Sequence, residues 1–521
     1  MYQVSDRESA VFRQSFMLKA CLFATGCAGI VAEFTLSTLA SYLMGNTTLQ
    51  WTLVMSLMLF SMGLGSRWSR YLTDRLLDRF IAVEFLLSVL CASCAAASYF
   101  ATAFVNHAGI VIYGYAMAIG ALIGMEIPLV ARLNESYEEL RSNIASVLEK
   151  DYYGSLVGGL LFAFFALPKL GLTYTPVALG AVNFCVASIL VWRYRGLLER
   201  RWQLMSAFWA TAAGLAILGL MIRPIVLFGE QSRYRDRIVY EEQTPYQRIV
   251  MTTWKGHIWL YLNGSVQFST YDEARYHEPL VHPAMQLAGS REQVLILGGG
   301  DGMAVREVLK YPDVAWVTLV DLDPAMTALG KTYPALVEAN RGALLDDRVR
   351  ILNQDAGRFL ADSKTLYDVI LVDLPDPKGP DLARLYSREF YRSCEKHLAK
   401  DGVMATQSSS PLHALKAFVC VNRTMASAGF AVVPYHNALP TMGEWGWNLG
   451  MKVAGETEET LKKRLMNVSF EEIETRFINR EAMIGMLQFW KGMFDQASEV
   501  TVSTEVEPTV DGYYREAEWG W

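Results

Sequence analysis

Residues 294–302, Val-Leu-Ile-Leu-Gly-Gly-Gly-Asp-Gly, decide the fold of the carboxyl-terminal half of this chain. An apolar run typical of a buried strand ends in a glycine-rich turn, and a helical pattern follows from Met303 to Tyr311. The next apolar run, Trp316 to Val320, ends in an acid, Asp321. This order predicts an open α/β sheet whose ligand crevice lies at the carboxyl ends of its strands.

The glycine turn and the acid after the second strand predict a nucleoside site. Gly298 and Gly300 let the backbone approach a ligand closely, and Asp321 can accept both hydroxyls of a ribose. This pattern alone also fits NAD enzymes. Asp301, inside the turn, would repel a pyrophosphate but attract a cation. The sequence therefore favours a sulfonium nucleoside of the S-adenosylmethionine type over a dinucleotide.

Acidic residues also follow the later predicted strands. Asp355 comes after the run Val349 to Leu352, and Asp373 and Asp376 lie on a proline-stiffened loop after another strand. Prolines reduce the freedom of a loop, which suits side chains that must hold a reactive geometry. A single aspartate in such a place can simply cap a turn. Acids at several strand ends together predict an acidic cleft for a cationic substrate.

A small antiparallel β unit is predicted over about 240–270, before the α/β domain. Residues 247–253 and 257–268 alternate apolar and polar side chains around the dipeptides Lys255-Gly256 and Asn263-Gly264. Such dipeptides between alternating runs are typical of hairpin turns.

The first 230 residues have the composition of a membrane domain. The whole chain of 521 residues is 52% hydrophobic and 19% charged, whereas soluble proteins are about 45–50% apolar and about 25% charged. The apolar excess lies in segments of about 20 residues, the length that spans a bilayer. Seven spans are predicted, at approximately 16–43, 49–66, 81–105, 109–132, 153–171, 174–193 and 204–228.

Basic residues predict the orientation of these spans, because cytoplasmic loops carry an excess of lysine and arginine. They cluster after the second, fourth and sixth spans, which places the amino terminus in the cytoplasm as well. Seven complete spans would put the carboxyl-terminal domain outside, whereas a nucleoside cofactor favours the cytoplasm. Three alternatives stay open. The seventh segment, which Arg223-Pro224 is predicted to break, is re-entrant or interfacial; one candidate is not a span; or the domain is external. The basic loop residues are Arg67, Arg70, Arg75, Arg79, Arg132, Arg141, Lys150, Arg193, Arg195, Arg200 and Arg201.

Three acids, Glu33, Glu84 and Glu126, lie within predicted spans, where a charge costs on the order of 3 kcal/mol. They predict either a cation or polyamine site, or buried carboxylates that only hold helices together. The net charge of −6 gives no basic patch, so nucleic acid is not an expected partner.

Residues 240–450 resemble a spermidine synthase, that is, a polyamine aminopropyltransferase. The membrane half together with this region resembles the integral-membrane bacterial members of that family. The motifs that carry the resemblance are Tyr246-Gln247, Leu262-Asn263-Gly264 with Gln267, Asp272-Glu273 with Tyr276-His277-Glu278, Gly298 to Gly302 with Arg306-Glu307, Asp373 through Asp376 to Pro380, and Phe390-Tyr391.

The resemblance implies an α-helical transmembrane bundle followed by an α/β Rossmann-like domain of the S-adenosylmethionine-type methyltransferase fold, with a small N-terminal antiparallel β unit. It implies a multi-pass protein of the bacterial inner membrane with a cytoplasmic catalytic domain, assembled as a dimer or larger homo-oligomer. The expected domains are 1–230 (about seven transmembrane helices), 231–275 (β-hairpin substrate-side subdomain), 276–455 (aminopropyltransferase domain) and 456–521 (C-terminal helical extension).

The implied reaction uses decarboxylated S-adenosylmethionine as co-substrate, without a metal or a prosthetic group. A neutral amine of putrescine attacks the carbon next to the sulfonium, which gives spermidine and methylthioadenosine. By position in the family, Asp373 would be the general base with Tyr276 assisting, and Asp376 would hold the far ammonium. The amine site would also be lined by His277, Glu444 and Trp445.

The resemblance also implies a donor site around the glycine turn, formed by the backbone of Gly298 and Gly300. Asp301 and Gln267 would meet the aminopropyl end of the donor. The nucleoside would be bound by Asp321 at the ribose hydroxyls, by Asp355 at the adenine amino group, and by Gln247.

Some positions depart from the pattern of many family members. Leu374-Pro375 separates the paired aspartates, Asn263 stands where an aspartate is common, and Met303 stands where a glycine is common. A tyrosine that often lines the diamine site has no clear match. The acceptor amine is therefore open. Two other functions also remain open: an S-adenosylmethionine-dependent methyltransferase, and a polyamine-binding membrane transporter or sensor with a synthase-like domain.

Overall fold

The chain is divided into two compact units, residues 1–236 and 237–521, in a computed structural model. The structure describes residues 2–44, 47–104, 108–135, 139–452, 455–497 and 499–517. Val105, the last residue of the predicted third span, lies outside the described residues. So do residues 453–454 of the predicted catalytic domain, and residues 498 and 518–521 of the predicted C-terminal extension.

Long apolar helices make up the first unit. A π-helical segment, Phe162–Leu170, follows the fifth helix directly. The helices are α1 (Tyr2–Met44), α2 (Thr47–Ser69), α3 (Leu76–Phe104), α4 (Ala108–Asn134), α5 (Leu140–Leu161), α6 (Gly171–Arg193) and α7 (Arg201–Arg233).

Six helical stretches of the described residues are long and apolar enough to cross a membrane: Phe16–Met44, Leu49–Ser69, Leu76–Thr102, Gly109–Asn134, Arg141–Arg193 and Arg201–Arg233. The stretch Arg141–Arg193, of 53 residues, contains both the fifth and the sixth predicted spans. A straight helix of this length would be about 80 Å long, whereas the hydrocarbon core is about 30 Å thick. The backbone leaves helical geometry at the end of the fifth predicted span, at Gly171 (φ 62°, ψ −173°).

The predicted break in the seventh segment is wrong. Helix α7 continues from Arg201 to Arg233 with Pro224 inside it. A proline removes one backbone donor, and neighbouring groups in an apolar helix can satisfy the carbonyl that is freed. The Arg223-Pro224 dipeptide therefore does not end the helix.

Helices α2 and α4 pack with their backbones almost in contact. A Cβ on Gly65 would lie 1.8 Å from the carbonyl oxygen of Ala121, and one on Gly124 would lie 2.0 Å from that of Met62. Only glycine fits at these two positions, which explains part of the small-residue content of the unit. The acids Glu33, Glu84 and Glu126 are buried, as expected for acids that face other helices.

The second unit begins with the predicted antiparallel sheet. Its strands lie in the order β1 (Arg237–Gln243), β2 (Arg248–Trp254), β3 (His257–Leu262) and β4 (Ser265–Ser269). Asn263 and Gly264 have φ values of 50° and 82°, the pair of positive φ angles that a two-residue type I′ hairpin turn requires. The Oδ1 atom of Asn263 accepts a hydrogen bond from the backbone N–H of Arg248, 2.9 Å away. An asparagine thus suits this turn.

The second sheet has the strand order β10-β11-β9-β8-β5-β6-β7, in which β5 to β9 are parallel and the hairpin β10–β11 is antiparallel. Residues 294–297 of the central strand β5 are fully buried, as in a parallel sheet that is covered on both faces. The strands are β5 (Gln293–Gly298), β6 (Trp316–Asp321), β7 (Val349–Asn353), β8 (Tyr367–Asp373), β9 (Leu398–Gln407), β10 (Ala431–Leu439) and β11 (Gly443–Met451).

Helices connect and cover these strands, which gives the predicted Rossmann-like fold. Strands β5 and β8 are adjacent, and Gly298 is paired with Asp373 in their register. This register places the glycine turn beside Asp373. The helices are α8 (Ala274–Leu287), α9 (Met303–Val308), α10 (Pro324–Thr332), α11 (Pro334–Ala339), α12 (Ala356–Asp362), α13 (Pro380–Ala383), α14 (Arg388–Lys396), α15 (Leu415–Ser427), α16 (Glu458–Met466), α17 (Arg480–Met486) and α18 (Thr509–Arg515).

Candidate active site

A tyrosine–aspartate pair forms the centre of the site. The hydroxyl of Tyr276, on α8, donates a hydrogen bond of 2.8 Å to Oδ1 of Asp373, the last residue of β8. The Tyr276 side chain is buried, and Asp373 is partly exposed to the cleft. Burial raises the pKa of Asp373 to about 6, although His277 and the hydrogen bond from Tyr276 act in the opposite direction. Asp373 can therefore accept a proton near neutral pH.

The glycine turn leaves no room for side chains next to Asp373. Gly298 has φ 86°, and a Cβ there would lie 2.1 Å from the carbonyl oxygen of Asp373. Gly299 has φ 68°, and its Cβ would lie 3.1 Å from Oδ2 of the same residue. Gly302 provides the last left-handed conformation of the turn, with φ 85°. Met303 then begins helix α9 and is fully buried, so a glycine is not required at that position.

Asp301 and Asp321 lie on either side of Gly300. Oδ1 of Asp301 accepts a hydrogen bond of 2.8 Å from the backbone N–H of Met303. Asp321 accepts hydrogen bonds from the backbone N–H groups of Gly300, at 2.9 Å, and of Asp323, at 2.8 Å. Burial raises the pKa of Asp321 to about 6, and the charges of Asp301 and Asp323 add to the increase. A cation between these acids would relieve their mutual repulsion.

Gln247 lies beside Asp323, a buried acid that the sequence analysis missed. Oδ2 of Asp323 accepts hydrogen bonds from Nε2 of Gln247, at 3.0 Å, and from the hydroxyl of Thr244, at 2.8 Å. Its Oδ1 caps helix α10 through the backbone N–H of Ala325. The Asp323-Pro324 dipeptide was a usable signal, since aspartate before proline is typical of a helix start.

Asp355 lies two residues after the end of β7 and is the N-cap residue of helix α12. Its Oδ1 accepts a hydrogen bond of 2.9 Å from the backbone N–H of Arg358, and Arg384 forms a salt bridge with the carboxylate. Partial burial acts to raise its pKa, but the hydrogen bonds from Arg384 and from the backbone lower the pKa below its usual value. Asp355 is thus an ionised acceptor.

Asp376 is held by residues that the sequence analysis did not identify. Its Oδ2 accepts a hydrogen bond of 2.8 Å from the hydroxyl of Tyr514, and Nε2 of Gln407 lies 3.4 Å from its Oδ1. Gln407 also donates to the carbonyl oxygen of Leu374, at 2.7 Å, and the hydroxyl of Tyr386 donates to that of Pro375, at 3.0 Å. The carbonyls of Leu374-Pro375 thus fix the loop between the paired aspartates.

Aromatic rings from the β11 strand pack around Tyr276. The ring of Trp445 lies 6.4 Å from that of Tyr276, and Trp447 lies 5.6 Å from it. Glu444 lies on the opposite face of β11, because side chains alternate along a strand. It is paired there with His436, whose ring packs against Phe489. The structure therefore does not bring Glu444 together with the Asp373 cluster.

His277 belongs to a buried charge network beneath the site. Its Nδ1 lies 3.0 Å from the carbonyl oxygen and 3.2 Å from Oε2 of Glu273. Arg306 donates to both carboxylate oxygens of Glu273, at 3.0 and 2.8 Å. Burial acts to lower the pKa of His277, but Glu273, Asp301 and Asp373 together raise it. The His277 ring is 2% exposed. Because it lies against the Tyr276 ring on α8, it supports that side chain.

Gln267 lies on β4 and is partly buried, with Nε2 3.2 Å from the carbonyl oxygen of Ser265. The hydroxyl of Ser265 accepts a hydrogen bond of 2.6 Å from Nζ of Lys378, in the loop after Asp376. The β unit is thereby tied to the loop that carries Asp376. Within the described residues, no cluster of three or more histidine, cysteine or acidic side chains is arranged to hold a metal ion.

The fold and these residues define a class of enzyme. Acids at the carboxyl ends of parallel strands, together with the hydrogen-bonded pair of Tyr276 and Asp373, suit a transferase that acts on a cationic nucleoside and an amine. The spermine/spermidine synthase domain family matches residues 273–463.

Similar proteins cover nearly the whole chain. Polyamine aminopropyltransferase 2 of Aquifex aeolicus (strain VF5) is 42% identical over 505 residues, which are 96% of this chain and 98% of that protein. The polyamine aminopropyltransferase of Leptospira interrogans serogroup Icterohaemorrhagiae serovar copenhageni is 36% identical and covers 89% of this chain and 93% of its own length. A solved spermidine synthase in complex with the transition state analogue AdoDATO is 25% identical with a TM-score of 0.45, and covers 50% of this chain and 88% of its own.

The chain belongs to the polyamine aminopropyltransferase family, also called the spermidine synthase family. It is an enzyme that transfers an aminopropyl group. The methyltransferase alternative finds no support among these relatives.

Proposed function

We propose that this protein transfers the aminopropyl group of decarboxylated S-adenosylmethionine to putrescine, giving spermidine and methylthioadenosine. The observation that carries this proposal is the hydrogen bond of 2.8 Å from the Tyr276 hydroxyl to Asp373, beside the glycine turn and three residues before Asp376. A base and a second carboxylate on one stiff loop suit a diamine, one end of which reacts while the other is held.

The proposed chemistry is a single displacement at carbon. The nitrogen of a neutral amine attacks the methylene carbon next to the sulfonium, the N–C bond forms, and the C–S bond breaks with its electrons moving to sulfur. Asp373 takes a proton from the bound ammonium, which frees the nitrogen lone pair for the attack, and then passes that proton to solvent. Because the sulfonium is a good leaving group, the protein has to supply positioning and proton removal.

The proposed donor site follows the acids around the glycine turn. Asp321 would bind the ribose hydroxyls, and Asp355 the adenine amino group. Asp301 and Gln267 would face the aminopropyl ammonium, and Gln247 would contact the nucleoside near Asp323. The backbone hydrogen bonds from Gly300 and Asp323, which fix the Asp321 carboxylate beside the glycine turn, support its assignment.

The proposed acceptor site uses Asp376 for the far ammonium. Tyr276 and Trp445 would form the wall near the reacting amine, where aromatic faces attract cations, and the buried His277 would support Tyr276 from behind. Glu444 has no part in this proposal, since it lies on the other face of β11.

The helical unit is proposed to lie in the inner membrane of a bacterium, with the catalytic unit in the cytoplasm. The six apolar stretches and the basic loops support insertion. The nucleoside donor supports the cytoplasmic side. A homo-oligomer, the domain limits 1–230, 231–275, 276–455 and 456–521, and a transport or sensor role for the buried acids stay predictions.

The experiment is a product assay on the purified full-length protein in detergent. The protein is incubated with decarboxylated S-adenosylmethionine and, separately, putrescine, cadaverine or spermidine, and products are identified by mass spectrometry. Spermidine and methylthioadenosine in equal amounts, formed fastest with putrescine, are expected. Faster turnover with another amine would replace putrescine, and no turnover with any amine would contradict the proposal.

A further inference from the structure

The carboxyl-terminal helix α18 contacts the loop that carries Asp376, although 138 residues separate Asp376 from Tyr514 in the sequence. Tyr514 is 5% exposed, and its ring lies within the apolar core on the α15 side of the sheet. Val510, on the same helix, is fully buried. The helix is therefore a packed part of the catalytic unit.

Three contacts along the loop join it to α18. The Tyr514 hydroxyl donates to Oδ2 of Asp376 at 2.8 Å, and the backbone N–H of Gly379 donates to Oδ1 of Asp511 at 2.9 Å. Nζ of Lys378 lies 5.6 Å from the centre of the Tyr514 ring. These contacts follow the loop from its acid to the start of α13, so the loop and α18 hold each other in one geometry.

The hydrogen bond from Tyr514 fixes one oxygen of a carboxylate whose other oxygen faces Gln407 at 3.4 Å. A carboxylate held in this way keeps its remaining lone pairs pointed in a constant direction, which favours one position for a bound ammonium. Burial raises the pKa of Asp376, and the phenol acts against that increase by stabilising the charged form. The tyrosine thus serves both the orientation and the charge of the acid.

We infer that Tyr514 is a positioning residue of the acceptor site, which acts through Asp376 to hold the far ammonium of the diamine. This inference rests on the proposed function, because it assigns Asp376 to the acceptor. It makes the C-terminal extension part of the active site.

The test is the variant Tyr514→Phe, which removes only the hydroxyl. Its neighbour offers a matched control, Tyr513→Phe, since the Tyr513 hydroxyl contacts the hydroxyl of Thr501 at 3.2 Å, whereas the Tyr514 hydroxyl contacts Asp376. In Tyr514→Phe, the KM for putrescine is expected to rise about tenfold, as for loss of one hydrogen bond to a charged group. The kcat should stay within about threefold and the donor KM unchanged, because only acceptor binding is weakened.

A double-variant cycle separates this role from a purely structural one. If Tyr514 acts through Asp376, then adding Tyr514→Phe to Asp376→Asn should raise the acceptor KM little further. The inference would be overturned, with an active wild type, if the acceptor KM of Tyr514→Phe is unchanged. It would also be overturned if the variant lowers kcat and raises the KM values of both substrates to the same extent. A wild type inactive with every diamine would instead overturn the proposed function, and this inference with it.

Discussion

Asp373 is the residue on which the proposed chemistry depends, and its surroundings make that chemistry dependent on pH. Its pKa, raised by burial to about 6, means that the base form dominates above that pH. A general base works best when its pKa lies near the working pH. The hydrogen bond from Tyr276 opposes the increase, so the tyrosine sets where the base becomes active.

At the residue scale we first predict the acidic limb of the pH profile. The kcat/KM for the amine should rise with pH through about 6 in the wild type, as Asp373 loses its proton. Tyr276→Phe removes a hydrogen bond that stabilises the carboxylate, so the same limb should move to higher pH. The profile is measured from methylthioadenosine release between pH 5 and 9, a range chosen to bracket the pKa. A limb that stays in place in Tyr276→Phe would mean that another group controls it.

A second prediction separates the donor acid from the acceptor acid. Asp376→Asn should raise the KM for putrescine by about 10- to 100-fold, with little change in the donor KM, because it removes one charged partner of the far ammonium. Asp321→Asn should raise the donor KM with little change in the KM for putrescine, since its carboxylate faces Gly300 and the proposed ribose site. Steady-state kinetics with each substrate varied in turn provide the measurement. Equal effects of both variants on both KM values would contradict the assignment.

At the element scale, Glu278 on α8 anchors the C-terminal extension. Its buried carboxylate accepts hydrogen bonds of 2.7, 2.8 and 2.8 Å from the backbone N–H groups of Arg476, Phe477 and Ile478. Glu278 belongs to the same motif as Tyr276 and His277. Its three backbone contacts give it a structural role in the motif. It is a support for the chain segment after α16.

We predict that Glu278→Ala exposes this segment. The hydrogen bond from Ile478 is buried, and a buried N–H left without an acceptor costs about 1–3 kcal/mol. The local opening free energy should therefore fall by about 1–3 kcal/mol, and amide exchange at Ile478 should rise by about 5- to 150-fold. Hydrogen exchange of the full-length protein measures this. Glu471→Ala, at an exposed glutamate of the same segment, is the control. Unchanged protection in Glu278→Ala would show that other contacts hold the segment.

The elements that the sequence predicted correctly are those set by local patterns. The glycine turn, the buried strands and the two-residue hairpins depend on neighbouring residues, and the structure has them where they were predicted. The partners of Asp376 were not predictable in this way. Gln407 and Tyr514 lie 31 and 138 residues away from it, and only the order of strands and the docking of α18 bring them together.

The same limit applies to Glu444 and Trp445, which were expected to line the amine site together. They are neighbours in the sequence, but a strand turns successive side chains to opposite faces. Trp445 contacts Tyr276, and Glu444 pairs with His436. Only the register of β11 shows that Trp445 belongs to the proposed amine site and that Glu444 does not.

For the whole molecule, the number of membrane crossings decides the side of the catalytic unit. Six crossings return the chain to the side of the amino terminus, and seven place it on the opposite side. Helix α7 is continuous, so a break in it does not change the number of crossings. That number then depends on whether the stretch Arg141–Arg193 crosses the membrane once or twice. The proposed cytoplasmic location of the catalytic unit requires an even number of crossings, because the amino terminus is predicted to be cytoplasmic as well.

We predict that a fluorescent protein fused after Trp521 is fluorescent in cells and that alkaline phosphatase fused there is inactive. Fusions after residue 106, between the third and fourth predicted spans, should give the opposite result, since that loop carries no cluster of basic residues. This pair serves as the internal control. Active alkaline phosphatase at Trp521 would place the catalytic unit outside and remove the cytoplasmic assignment.

The central claim is that Asp373 removes the proton during aminopropyl transfer, and one comparison tests it most directly. Methylthioadenosine release from decarboxylated S-adenosylmethionine and putrescine is measured for the wild type, Asp373→Asn and Asp362→Asn. Asp362 is an exposed aspartate on α12. Loss of a general base predicts a rate lower by about 10²–10⁴-fold in Asp373→Asn, with Asp362→Asn equal to the wild type. An Asp373→Asn variant that keeps the wild-type rate at every pH would contradict the claim.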